Sequence, residues 1–324
     1  MKPFPLRQRD LPVSRLVLGC MGLGGDWNES PIEQAHVKQA HEVVEAALET
    51  GINMFDHADI YRRGKAEQVF GQVLRERPEL RGKIFIQSKC GIRFPEQNGI
   101  PGRYDFSDRH ILDSVDGILA RLGVEYLDFL LLHRPDPLMD PEEVARAVSQ
   151  LHTTGKVRYF GVSNMNAGQI ELLQAYSDHP FIINQLEMSL LKHGFINTGV
   201  HVNQEAARAN VFPDGTLEYM QLQNIQVQAW SPLALGYLSG RSLEGQSETV
   251  QTTAKLVAEM AEQKNATAEA IILAWLMKHP VGIQPIIGTT NKQRIYACKD
   301  AEKISLSREE WYQLYVTARG TPLP

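Results

Sequence analysis

The stretch INMFDHADIY, from Ile52 to Tyr61, begins as a hydrophobic strand and changes character after four residues. Asp56, His57, Asp59 and Tyr61 come in close succession, and each polar group buried there without a partner costs about 1–3 kcal/mol. The segment therefore predicts a strand tip at which a carboxylate and a phenol meet groups brought from elsewhere in the chain. Seven other apolar runs resemble it: RLVLG at 15–19, IFIQS at 84–88, YLDFLLL at 126–132, YFGV at 159–162, FIIN at 181–184, IQVQAW at 225–230 and QPII at 284–287.

Helical stretches separate these runs. In SPIEQAHVKQAHEVVEAALETG, Ser30 reads as the N-cap, Pro31 as the first helical residue and Glu33 as the partner in a capping box; Gly51 ends the helix. DPEEVARAVSQLHTTG repeats this grammar from Asp140 to Gly155, and SDRHILDSVDGILARLG repeats it from Ser107 to Gly123. Strands alternating with such helices make a parallel sheet of βαβ units, buried on both faces.

The polar residue just past each run distinguishes an open sheet from a closed one. Asp56 stands after the second run, Lys89 after the third, His133 after the fourth, Ser163 and Asn164 after the fifth, Gln185 after the sixth, Ser231 after the seventh and Thr289 after the eighth. An open sheet brings together only the strand ends beside its switch point. A closed barrel opens every C-terminal strand end onto one mouth. Seven polar strand ends in succession therefore predict an α/β fold of the (β/α)8 TIM-barrel type. The dinucleotide spacing G-x-G-x-x-G is missing from GCMGLGG at 19–25, which removes the main support for a Rossmann domain. The expected organisation is a single barrel domain over 1–324 with an N-terminal lead-in. An irregular stretch at 187–224 holds the most decorated loop, around 187–216, and an amphipathic C-terminal helix covers 305–318.

Composition narrows the partners. With 43% hydrophobic residues the chain can build a large core, and a net charge of −5 without any basic run gives no footprint for nucleic acid or an anionic membrane. A small molecule is the expected partner. Cys20, Cys90 and Cys298 are widely scattered, as suits reduced thiols, and show neither disulfide nor zinc spacing, so no metal is expected. MKPFPLRQRDLPVS has no apolar core of a signal peptide, and no run reaches membrane-spanning length. These features predict a soluble, cytoplasmic protein; they leave its oligomeric state open.

At the predicted mouth Asp56, Tyr61, Lys89 and His133 combine into one chemistry. An isolated phenol, with a pKa of about 10, donates protons poorly at neutral pH. A neighbouring ammonium lowers that value, a carboxylate holds the ammonium, and an imidazole can donate a hydrogen bond to a carbonyl oxygen.

FDHADIYRRGKAEQVFG, IQSKCG, LLHRPD, GKVRYFGVSN, QLEMSL, AWSPLALGYLSG and IIGTTNKQRI resemble, in order and spacing, the motifs of the aldo-keto reductase superfamily. DHADIY, SKCGI and HRPDPLMD look most like its bacterial YdhF-type oxidoreductases. The resemblance implies reduction of an aldehyde or ketone with NADP(H) as cofactor, Tyr61 as proton donor, Lys89 and Asp56 tuning it, and His133 positioning the carbonyl. It further implies that Ser163, Asn164 and Gln185 hold the nicotinamide carboxamide and that Trp230 stacks on the ring. Ser231, Leu233 and Gly236 would follow the pyrophosphate, and Gly288, Thr289, Thr290 and Arg294 the 2′-phosphate. Free N–H groups at a helix start and a planar guanidinium suit that anion on physical grounds as well. The chain departs from the common pattern at Arg62, where Gly is usual, and at Ala297 and Cys298, where Glu and Asn are common.

Each residue also has a plainer reading. Asp56 alone is a strand-end cap, Ser163 and Asn164 a helix N-cap pair, Trp230 a core residue and Arg294 a solvated helix residue. His57 reads as a satisfied buried histidine, Asp59 as a loop-stabilising carboxylate and Cys90 as a small hydrophobe. Trp27 and Arg93 are candidates for a substrate pocket, with the loops 91–106 and 187–216 as its expected walls. Two other functions compete: a non-catalytic NADP(H)-binding regulatory subunit of the same fold, and a barrel isomerase acting on a phosphate-bearing ligand.

Overall fold

A computed structural model of the chain describes residues 4–324. Eight parallel strands close into a barrel: β1 Val17–Gly19, β2 Met54–Asp56, β3 Phe85–Cys90, β4 Leu127–Leu132, β5 Val157–Ser163, β6 Phe181–Glu187, β7 Gln226–Trp230 and β8 Gln284–Ile287. Each pairs with its neighbours in sequence, and β8 returns to β1. The helices α1 Gln34–Glu49, α2 Lys65–Glu76, α3 Asp108–Leu122, α4 Pro141–Thr153 and α5 Ala167–Tyr176 fill the first five connections. After β6 come a short helix, Gly194–Val200, and α6 Thr216–Leu222; after β7 come α7 Glu248–Gln263 and α8 Ala268–Met277; after β8 come α9 Lys292–Cys298 and α10 Arg308–Arg319.

Local sequence explains where these helices begin. Asp140 caps α4 by accepting the Glu142 N–H at 2.9 Å, with Pro141 as first residue. Ser107 caps α3, and Gly123 ends it in the left-handed conformation, φ 66°. The expected start of α1 at Ser30 is not observed. Its cap is Glu33, in a capping box with His36. The Lys65 ammonium donates to Asn28 Oδ1 at 2.9 Å and to the Ser30 carbonyl at 3.3 Å, and these contacts tie residues 28–30 to the start of α2 outside the helix.

Two apolar cores result. The larger lies between strands and helices. The smaller plugs the lower barrel with Val17, Met54, Phe129, Leu131 and Ile183, and the lead-in residues Phe4, Leu6, Leu11 and Val13 pack against it. The tail helix starts at the Ser307–Glu310 capping box. Trp311 stacks on Trp275 of α8, ring centroids 5.4 Å apart, and each indole N–H donates to the other's backbone carbonyl. Residues 91–106 form a small hairpin, Ile92–Arg93 against Arg103–Tyr104. The stretch 187–224 lies partly against α10: Tyr315 Oη donates to Asn197 Oδ1 at 2.6 Å, and Arg319 reaches His201 at 2.9 Å.

Candidate active site

Period-two alternation decides what β3 sends into the barrel. Gln87 and Lys89 point inward, while Ser88 points outward and donates to Glu67 on α2 at 2.7 Å. Lys89 is fully buried. Its three ammonium protons have three acceptors: Asp56 Oδ2 at 2.7 Å, the His57 carbonyl at 2.8 Å and Tyr61 Oη at 3.0 Å. An ion pair in such surroundings is tolerable because the remaining donors are satisfied. The phenol oxygen accepts from Lys89 and so keeps its own O–H for another partner.

Burial pushes the Tyr61 phenol above its ordinary value of 10; Lys89 opposes that rise and Asp56 adds to it. The expected lowering by Lys89 is thus present but outweighed, because the buried phenolate loses more solvation than one ammonium returns. Burial also acts to lower Lys89, yet Asp56 and Tyr61 together hold it above its ordinary value. The resting pair is a neutral phenol beside an ammonium. The His133 ring meets Tyr61 edge-on, centroids 6.0 Å apart. Burial, then the charges of Lys89 and Arg134, hold its imidazole well below 6.5. Its Nδ1 is buried without a partner, so a second proton would have no acceptor there.

The strand tips beyond carry a connected rim. Ser163 Oγ donates to the Gln185 carbonyl at 3.0 Å, and Asn164 Nδ2 donates to Ser163 Oγ at 2.7 Å. The Trp230 indole N–H donates to Asn164 Oδ1 at 3.2 Å. Ser163 and Asn164 are not helix caps, since Asn166 caps α5. The next loop is strained: Ser231, Ala234 and Leu235 all have positive φ, as does Gly236. Non-glycine residues held there cost about 1–3 kcal/mol each, a cost found mostly where backbone must serve a ligand. Arg294 Nη1 would lie 4.0 Å from a Cβ on Gly236, so the guanidinium stands beside this loop. It makes no ion pair among the described residues.

All the expected site residues except Lys89 and Thr290 line one cavity of about 530 Å³. That volume suits a small ligand. Lys89 lies beneath its floor, and the Thr290 methyl lies close to Gly22. A cleft of about 760 Å³ at the lower end, beside Phe4, Arg15 and Gly282, contains none of them. Trp27 lines the cavity, but Arg93 does not: it pairs with Asp105 at 2.8 Å and Glu96 at 3.2 Å. The expected loop walls are also corrected. Ile92 alone comes from 91–106 and nothing comes from 187–216; the walls are built by Met21, Trp27, Ile60 and the 232–239 loop.

His57 is buried, as expected, but not satisfied. Both ring nitrogens lack partners and the ring packs on Phe70, centroids 4.6 Å apart. Arg62 and Arg63 have φ 52° and 58°, the left-handed conformation that favours Gly. Arg62 ties this turn to the preceding loop through the Met21 carbonyl at 3.0 Å and the Trp27 ring. Sequence reasoning missed Arg134, whose guanidinium lies 5.7 Å from the Trp230 ring centroid, and three glutamines below the floor. The signal for the latter was present: Gln87 in β3, Gln228 in β7 and Gln284 in β8 each interrupt an apolar run.

Comparison with known proteins places these features in a family. The profile of the aldo/keto reductase family matches residues 15–315. The chain is 36% identical to the 6-dehydroglucose reductase of Agrobacterium fabrum, over 96% of both chains. It is 34% identical to the oxidoreductase YdhF of Escherichia coli, over 96% of this chain and 95% of that one. An aldo/keto reductase of Klebsiella pneumoniae, solved with NADP and acetate, superimposes with a TM-score of 0.72 at 25% identity, covering 96% of this chain and 93% of the other.

Proposed function

Because the chain belongs to the aldo/keto reductase family, we propose that it is an NADPH-dependent reductase of small aldehydes or ketones, with Tyr61 as the proton donor. The single observation that carries this reading is the Lys89 ammonium bound at once to Asp56, Tyr61 and a backbone carbonyl under a ligand-sized cavity. NADPH, when bound, would contribute the hydride for the carbonyl carbon. Tyr61 gives its O–H proton to the carbonyl oxygen, and Lys89 stabilises the phenolate left behind while Asp56 keeps the ammonium in place. His133, neutral, donates a hydrogen bond that orients the carbonyl.

The residues fit the cofactor. Ser163, Asn164 and Gln185 would hold the nicotinamide carboxamide and Trp230 would lie under the ring; Ser231, Leu233 and Gly236 would face the pyrophosphate. Gly288, Thr289, Thr290 and Arg294 would take the 2′-phosphate, for which a guanidinium without an ion pair among the described residues is suited. The same reading makes 1–324 one barrel domain acting in the cytoplasm on a small molecule, with no nucleic-acid partner. None of the described helices is long and apolar enough to cross a membrane. The Agrobacterium relative's name recommends hydroxylated aldehydes as the first substrates to try.

NADPH oxidation over a carbonyl panel tests the assignment. Tyr61→Phe should bind NADPH like the parent and lose about 10²–10⁴-fold in turnover. Parental turnover in that variant would remove Tyr61 from the role. No oxidation with any carbonyl, despite NADPH binding, would favour the regulatory-subunit reading.

A further inference from the structure

Beneath the cavity floor lies an interior layer of the barrel that apolar side chains would ordinarily fill. Asp56 on β2 is in register with Gln87 on β3. On the other side Gln185 on β6 is in register with Gln228 on β7, and Gln228 with Gln284 on β8. All four glutamines are buried. Gln87 Nε2 donates to Asp56 Oδ1 at 2.5 Å and to Gln228 Oε1 at 2.9 Å. Gln185 Nε2 repeats both contacts, at 3.1 and 3.2 Å. Gln228 Nε2 donates to Gln284 Oε1 at 3.0 Å, and Gln284 Nε2 ends on the Ser14 carbonyl at 2.7 Å.

The two ends dictate every amide orientation between them. A carboxylate only accepts, and so does a backbone carbonyl. Asp56 therefore requires NH₂ groups from Gln87 and Gln185, and their second protons require the oxygen of Gln228. Gln228 must then donate to the oxygen of Gln284, which must donate to Ser14. Turning any one amide round would set donor against donor or acceptor against acceptor.

Stability does not explain this layer. Buried polar networks are seldom more stable than apolar residues of the same volume, and this one leaves Gln87 Oε1 buried without a partner. What the network does accomplish is specific. It occupies Asp56 Oδ1 with two N–H donors while Oδ2 stays on Lys89. We propose that Gln87, Gln228 and Gln284 are positioning residues that fix the Asp56 carboxylate, through it Lys89, and through Lys89 the Tyr61 phenol. Gln185 belongs to both this relay and the cavity wall. The inference rests on the reading of Tyr61 as proton donor.

The test uses the full-length protein with NADPH and whichever carbonyl it turns over. Gln228→Met removes the shared acceptor at nearly constant volume and touches neither Asp56 nor the cavity. Its kcat should fall roughly 10- to 100-fold, the scale of a small misplacement at a reacting group. NADPH affinity should change far less than kcat, because Gln185, the link shared with the cavity wall, keeps its bond to Asp56, and the alkaline limb of the kcat profile should move to lower pH. Both routes give that direction: a Lys89 less held by Asp56 loses its proton sooner, and while charged it draws the proton from Tyr61 sooner. Gln284→Met, one link farther away, should show the same changes at smaller size and decides the matter if Gln228→Met does not fold. A purely structural role would reduce thermal stability and active fraction without moving the limb, and that result would overturn the relay. Parental kcat and pH profile in the folded variant would overturn it too. Tyr61→Phe with parental turnover would instead bring down the underlying reading, so the two failures are distinguishable.

Discussion

Asp56 and Asp59 are three residues apart and live in opposite surroundings. Asp56 accepts from Lys89, Gln87 and Gln185. Asp59 Oδ1 is buried without a partner. Burial, then the neighbouring Glu67, push the Asp59 carboxyl up to about 7, with Arg121 and Lys89 only partly opposing. Its useful contribution is the backbone, whose N–H donates to the Lys89 carbonyl at 3.0 Å. In the window from 3.8 to about 7 the folded state keeps a proton that the unfolded chain has lost, so stability falls as pH rises through it. Asp59→Asn should therefore be more stable than the parent by about 1–4 kcal/mol at pH 8, a gap that denaturant titrations should find closing towards pH 4. His133 gives a second expectation at this scale. An imidazole held well below 6.5 stays neutral, so kcat should show no His133 titration between about pH 5.5 and 7.5. An acid limb there that disappears in a His133 variant would refute it.

Among the elements, the junction of β8 and α9 joins backbone to charge. Asn291 caps α9 through the Gln293 and Arg294 N–H groups, and this places Arg294 in the first turn beside the strained 231–236 loop. Among the described residues the side chain has no carboxylate partner to lose, so its removal should act on the ligand and not on the fold. Arg294→Ala should weaken NADPH by about 2 kcal/mol, roughly 30-fold in Kd, while NADH binding stays level. Equal losses for both cofactors in a fluorescence titration would take Arg294 off the 2′-phosphate. Helix α2 shows the converse, an element held by structure alone. A Cβ on Gly71 would overlap the Arg121 carbonyl, so α2 and α3 approach as closely as they do only because that position carries no side chain.

At the scale of the whole molecule, the tail is bound to the barrel wall by the reciprocal Trp275–Trp311 pair, which combines stacking with two hydrogen bonds. Trp311→Ala should cost about 2–4 kcal/mol of unfolding free energy and leave kcat per folded molecule unchanged, because the pair is not among the residues lining the cavity. Parental thermal stability would show that the tail is dispensable. The long 187–224 stretch packs partly against this same tail, which is why its irregular sequence misdirected the expectation of a substrate wall. Loop length is visible in a sequence; the surface on which a loop lands depends on which outer helices offer it partners.

The eight strands and their polar tips were legible from the order of residues alone, because a strand buried on both faces is mostly apolar and a polar cluster following such a run marks its end. That was enough to predict barrel closure and to bring Asp56, Tyr61, Lys89 and His133 to one place. Closure itself decided the rest. Gln87 and Gln228 lie 141 residues apart, and no local pattern states that their amides meet. The direction of the Tyr61 shift likewise belongs to the folded molecule, since it depends on how much water the closed barrel removes from the phenol relative to the charge Lys89 returns.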